Sequence, residues 1–124
     1  MIDFQNASYF KLKRVKDSDF QELVVPILIN EETVIASYRG IRDGVVFTNK
    51  RVIAINVQGM TGKKKDITSL PYSKIQAYSV ETAGVFDLDS ELELYFSGVG
   101  KVKFEFTGTS NTSHICRMIS EFVL

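Results

Sequence analysis

The stretch from Glu91 to Phe106 constrains the fold more than any other part of the chain. Glu91-Leu92-Glu93-Leu94-Tyr95-Phe96 alternates polar with apolar side chains, and Lys101-Val102-Lys103-Phe104-Glu105-Phe106 does the same. Successive side chains of a strand point to opposite faces of a sheet, so a period of two marks a strand with one buried face. The connector Ser97-Gly98-Val99-Gly100 is short and holds two glycines, which predicts an antiparallel hairpin. Leu92, Leu94, Phe96, Val102, Phe104 and Phe106 then form one apolar face that the remaining chain must cover.

The charges on the wet face select a register. Phe96 opposite Gly100 places Glu93 opposite Lys103, whereas Ser97 opposite Lys101 would place Glu93 opposite Glu105. Opposite charges across a pair stabilise and like charges destabilise, by roughly 0.2–1 kcal/mol. The first register is therefore expected.

A length of 124 residues fits one domain, 1–124, with a sizeable core. Its 15 basic and 15 acidic residues cancel. That balance argues against a general electrostatic grip on nucleic acid or anionic lipid, both of which favour excess Lys and Arg. A single cysteine, Cys116, excludes an internal disulfide and fits a reducing compartment. Met1 to Gln5 shows no secretory pattern, and no run reaches the roughly 20 apolar residues of a membrane span. The reading is a soluble, cytoplasmic protein.

Residues 1–30 read as an extension with one short helix. Lys11, Lys13, Arg14 and Lys16 cluster in a mixed segment, read as a solvated stretch with phosphate contact as the sharper alternative. Ser18 followed by Gln21 fits a capping box, acids at Asp17, Asp19 and Glu22 suit a helix start, and Phe20, Leu23 and Val24 would form its apolar stripe. Pro26 ends or bends that helix. Residues 31–108 read as strands: Glu32 to Ile41, Val45 to Thr48, Arg51 to Val57, a short one at Asp66 to Leu70, Ser73 to Thr82, then the hairpin. Gly40–Gly44 and Asn49-Lys50 are the turns, and Gln58–Lys65 is a loop. Thr109, Ser110 and Asn111 can cap a C-terminal helix over 110–123, whose Ile115, Cys116, Met118, Ile119, Phe122 and Val123 fall at helical spacing. Such a helix is the right size to plug an open end of a curled sheet.

Catalytic chemistry is poorly supplied. His114 is the only histidine, which rules out a site with two His ligands in one chain. It is expected at the surface, in the first turn of the terminal helix, and Cys116 as a packed thiol on the helix's buried side; the His is not expected to serve a Cys or Ser nucleophile, since neighbouring helix positions do not face each other. Asp87 and Asp89 lie two apart in a loop, but a divalent cation would want more oxygen ligands. Gly59-Met60-Thr61-Gly62-Lys63-Lys64 is not a phosphate loop: its glycines are too close together, and Lys64 stands where a hydroxyl is required. No cofactor or metal is expected.

Three segments together carry a resemblance. Arg42 to Arg51, Gln58 to Lys64, and Leu70-Pro71-Tyr72 with Val80 to Leu92 are similar, in order, to the bacterial pleckstrin-homology-like domain family, over about residues 31 to 124. The resemblance implies a mainly β fold with helices: a seven-stranded open barrel of two near-orthogonal antiparallel sheets, capped by a C-terminal amphipathic helix. It implies a non-enzymatic interaction module. Short members resemble ring-forming proteins, so a cyclic homo-oligomer, five-fold by expectation, with an unidentified protein partner is implied. The matching motifs point to Asn49, Arg51, Lys63, Lys64, Glu81, Asp87 and Asp89 as polar contacts to that partner or to a neighbouring protomer. The alternative for Arg51 and Glu81 is that they anchor turns through local ion pairs. Lipid-binding relatives carry a Lys/Arg cluster at the first strand turn. Here that turn is Arg39-Gly40-Ile41-Arg42-Asp43-Gly44, with a countering Asp, so phosphoinositide binding is not expected. The alternative function is a peripheral binder of anionic membrane lipid or phosphate ligands through Lys11–Lys16 and Lys63–Lys65.

Overall fold

The computed structural model describes residues 1–82, 89–107 and 112–124. Its strands are β1 (Ser8–Val15), β2 (Val34–Arg39), β3 (Gly44–Thr48), β4 (Arg51–Gln58), β5 (Lys64–Pro71), β6 (Ala77–Glu81), β7 (Ser90–Phe96) and β8 (Gly100–Phe106). They form one open, curled sheet in the order β5-β4-β3-β2-β1-β8-β7-β6. One-turn helix α1 (Gln21–Val24) precedes β2, and α2 (Thr112–Val123) follows β8. Single 3-10 turns lie at Val25–Ile27 and Tyr72–Lys74.

The mainly β half-barrel with its C-terminal helix agrees with expectation, but seven strands in two sheets does not. The difference is β1, which sequence reading left as a mixed segment. Its first half runs parallel to β8, with Ser8 beside Lys103, Tyr9 beside Phe104 and Leu12 beside Phe106. Its second half runs antiparallel to β2, from Lys13 beside Arg39 to Val15 beside Ser37. One strand thus splices two antiparallel sets into a continuous sheet. Lys11, at φ 52°, is the bulge that makes this possible. Tyr9 and Leu12 are both buried although three residues apart, which an unbroken period of two forbids. The bulge is why alternation was invisible there.

The β7–β8 hairpin has the expected register, Phe96 opposite Gly100 and Glu93 opposite Lys103. The ion pairs run on the diagonals, Lys101 to Glu93 and Lys103 to Glu91, each at 3.6 Å. Leu92, Leu94, Phe96, Val102, Phe104 and Phe106 are all buried, as expected of one face. Over them lies an aromatic cluster: Tyr38 meets Phe106 edge-on at 4.9 Å between centroids, and Tyr9 stacks on Phe104 at 5.4 Å. Strands β3 and β4 are buried on both faces. Val45, Phe47, Val52 and Ala54 face the main core. Val46, Ile53 and Ile55 face outward and are covered by Phe20 and Val24 around α1.

Several sequence boundaries move. The capping box at Ser18 does not form; α1 begins at Gln21 with Phe20 at its cap and no side-chain cap bond. Phe20 is pulled into the outer cluster, so the helix keeps only one turn before Pro26. β2 starts at Val34, and Glu32, expected within it, lies buried ahead of it. β5 is longer than expected, from Lys64 to Pro71, and the segment from Ser73 opens with a 3-10 turn before β6. Helix α2 is described from Thr112; the caps Thr109, Ser110 and Asn111 lie outside the described residues. Ile115, Met118 and Ile119 of its expected stripe are buried, Cys116 is half-buried and His114 is exposed. The helix packs on the Tyr72–Lys74 turn and β6. Tyr72 stacks on Phe122 at 5.4 Å, and the Tyr78 hydroxyl lies 2.8 Å from that of Ser120.

The tight β3–β4 turn is fixed by a buried polar knot. Glu32, whose side chain is fully enclosed, takes a two-pronged bond from Arg51, with Nε at 2.9 Å and Nη2 at 3.0 Å. The Thr48 hydroxyl donates to Glu32 at 2.7 Å and accepts the backbone N–H groups of Lys50 and Arg51. Asn49 accepts the N–H of Thr33 at 2.8 Å and donates to the carbonyl of Glu31 at 2.8 Å. Burial pushes the Glu32 carboxyl up, but the bonds from Arg51, Thr48 and the Ile29 N–H outweigh it and hold it below its usual 4.5.

Two outcomes are expected. A left-handed backbone costs an L side chain about 1–2 kcal/mol that glycine avoids. Lys11→Gly should therefore hold or raise stability, and the branched Lys11→Val should lower it, read from urea midpoints at constant slope. A depressed carboxyl contributes stability above its unfolded value and loses it as pH falls through the folded value. Glu32→Gln should cost about 3 kcal/mol at pH 7, because it strands the half-enclosed Arg51. Its stability curve should converge on that of the original protein as pH falls below 4.5.

Candidate functional site

The residues singled out from sequence fall into three places. Asn49 and Arg51 belong to the knot just described, and Arg51 also donates to Ser69 Oγ at 2.8 Å and to the carbonyl of Ile27 at 2.7 Å. The turn-anchoring alternative for Arg51 is what its contacts display, with Glu32 as the partner. Lys63 and Lys64 lie at the opposite end of the β4–β5 ladder, which runs from Arg51 beside Pro71 to Gln58 beside Lys64. At roughly 3.3 Å per residue, the two groups sit about 23 Å apart. Both lysines are exposed, at a tip where Gly59 and Gly62 take positive φ. Glu81 ends β6, exposed and opposite Glu91, and Asp89 lies half-buried just before β7. Asp87 lies outside the described residues. The six described residues therefore do not converge on one point.

Sequence reading missed a polar cleft where β1, β4 and β5 meet. It has a volume of about 360 Å³ and is lined by Asp3, Asp43, Asp66, Asn56, Gln58 and Tyr9, among others. The Tyr9 hydroxyl donates to Asn56 Oδ1 at 2.6 Å, and Asp43 accepts the N–H of Val57 at 3.0 Å. Burial raises the Tyr9 hydroxyl well above the usual phenol value. Asp66 is held below the usual carboxylate range, first by the amino group of Met1 at 2.8 Å. The Asn6 side chain does the same for Asp3, with the Gln5 N–H helping. The carboxylates Asp3, Asp43 and Asp66 come from three distant segments, so spacing could not reveal them.

Asp43 was expected to counter the arginines of the β2–β3 turn. Its carboxylate instead serves the Val57 N–H. Arg42 donates to the carbonyl of Gly59 at 2.5 Å, and Arg39 lies over the ring of Phe20 at 4.5 Å. In the N-terminal basic cluster, Arg14 pairs with Asp17 at 2.8 Å, while Lys11, Lys13 and Lys16 are exposed. Among the described residues, no three His, Cys, Asp or Glu side chains are placed to hold a metal ion. No described helix is long and apolar enough to cross a membrane.

Comparison with known proteins accords with this geometry. Residues 3–123 match the family model described as the bacterial PH domain. YjqA of Bacillus subtilis, an uncharacterized protein, is 51% identical over 78 residues, 63% of this chain and 62% of YjqA; the match thus spans less than two thirds of that relative. YozO of the same organism, also uncharacterized, is 30% identical over 95 residues, covering 77% of this chain and 82% of YozO. A crystal structure of a DUF1696 family protein with a pleckstrin-homology domain from Shewanella loihica superposes with a TM-score of 0.80 at 39% identity, covering 92% of this chain and 98% of that one. A pleckstrin homology domain from Shewanella amazonensis gives 0.67 at 38% identity, covering 89% and 90%. With a curled sheet, a terminal helix and a family match over nearly its whole length, the chain belongs to the bacterial PH domain family.

Proposed function

We propose that the protein is a non-enzymatic interaction module of the cytoplasm that assembles head to tail into a closed ring, five-fold by expectation, and presents that ring to a protein partner. The observation that carries this reading is the asymmetry of the two sheet edges. β5 is guarded: Lys64 and Lys65 lie exposed along it, and Pro71, which has no N–H to offer, ends it. Among the described residues β6 pairs only with β7, and it carries neither Lys nor Pro. Ala77, Ser79 and Glu81 are exposed along it. An unguarded edge offers backbone N–H and C=O groups to another chain. A head-to-tail contact that closes gives a ring.

Polar groups near strand ends then supply specificity: exposed Lys63 and Lys64 at one tip, exposed Glu81 and half-buried Asp89 at another, with Asp87, outside the described residues, as a further candidate. Asn49 and Arg51 contribute by holding the β3–β4 turn in shape.

Light scattering should give a mass several-fold above 14.0 kDa. Ser79→Lys, an exposed change that adds an edge lysine, should reduce that mass to a monomer's without changing the circular dichroism spectrum. A monomeric original protein at every concentration would sink the ring.

A further inference from the structure

Granted the head-to-tail assembly on which it rests, we infer that β6 of one protomer docks antiparallel on β5 of the next. Glu81, Ser79 and Ala77 then lie opposite Lys65, Ile67 and Ser69 of that neighbour. A head-to-tail contact joins two different patches. Among the described residues β5 and β6 are the outermost strands of the sheet, so their free edges are the two patches to match.

Charge, facing and proline together select this pairing. Among the described residues neither Lys65 nor Glu81 is in an ion pair, and both are exposed. Lys65 lies near the start of β5 and Glu81 at the end of β6. An antiparallel approach brings these charges together over the whole of β6; a parallel one sets Lys65 beside Ala77 instead. Along β5, Ile67 packs on the outer cluster and Leu70 on the main core, so Lys65, Ile67 and Ser69 face outward. Along β6, Tyr78 and Val80 pack on the main core, so Ala77, Ser79 and Glu81 face outward. Directly opposed residues of an antiparallel pair share a face, which this register respects at every position. It also engages all five residues of β6 with Lys65–Ser69, each of which keeps its N–H. A shift by two in one direction sets Ala77 against Pro71, which has no N–H, and Glu81 against apolar Ile67. The opposite shift carries Glu81 past Lys64, where β5 begins. The lysines and the proline that guard β5 thus frame a window of the length of β6.

Sedimentation velocity across a dilution series tests the pairing. Lys65→Glu and Glu81→Lys should each raise the concentration at half-assembly by about tenfold, because each sets like charges opposite each other. The two changes in one chain restore opposite charges and should bring that concentration back to within about threefold of the original. Both positions are exposed, so the circular dichroism spectrum should not change. Lys65→Cys with Glu81→Cys, in a Cys116→Ser background, should form a disulfide between protomers on oxidation, and Lys65→Cys alone should not. An assembled original protein whose single reversals leave the midpoint unmoved, or whose double change fails to recover it, overturns this pairing while the ring stands. A protein that is monomeric at every concentration removes the ring and the pairing together.

Discussion

The fold depends on one strand that changes partners midway. β1 completes the hydrogen bonding of β8 with its first half and of β2 with its second. Without it the four strands β2–β5 and the three strands β6–β8 would each end in an open edge at the centre of the molecule. Those inner edges hold Tyr38 and Phe106, whose rings meet edge-on. The aromatic contact and the splice reinforce each other. Burying the rings requires the two sets to close together, and the strand between them supplies the backbone partners that closure demands. The left-handed turn at Lys11 lets a single strand satisfy two differently directed neighbours.

A second constraint acts where β3 and β4 are enclosed on both faces. Such strands cannot leave polar groups at their turn unsatisfied. Glu32, Thr48, Asn49 and Arg51 meet that requirement by joining the segment before β2 to the β3–β4 turn. Tyr72 adds a third segment, since its hydroxyl donates to the Thr48 carbonyl at 2.7 Å. The resulting network fixes the turn and sets the position from which the last helix is approached. It also explains why two residues marked by family motifs have a structural job before any external one.

Strands with one wet face were legible because their side chains keep step with the pleat; β7 and β8 were read correctly down to the pairing of Glu93 with Lys103. The amphipathic helix was legible from its spacing. β1 was not, because the bulge resets the period between Tyr9 and Leu12. Val46, Ile53 and Ile55 gave no hint of a second core, since a strand covered on both sides has no alternation to read. Clefts were least legible of all. Asp43 beside Arg42 looked like a neutralising neighbour, yet successive residues near a turn can address different faces, and this pair does.

Helix α2 is seated on the same two elements that form and flank the exposed edge, through Tyr72 with Phe122 and Tyr78 with Ser120. Were another chain to pair along β6 and shift this packing, the linkage would be reciprocal: whatever the pairing did to the helix's hold, a change in the helix would do to the pairing, by the same free energy.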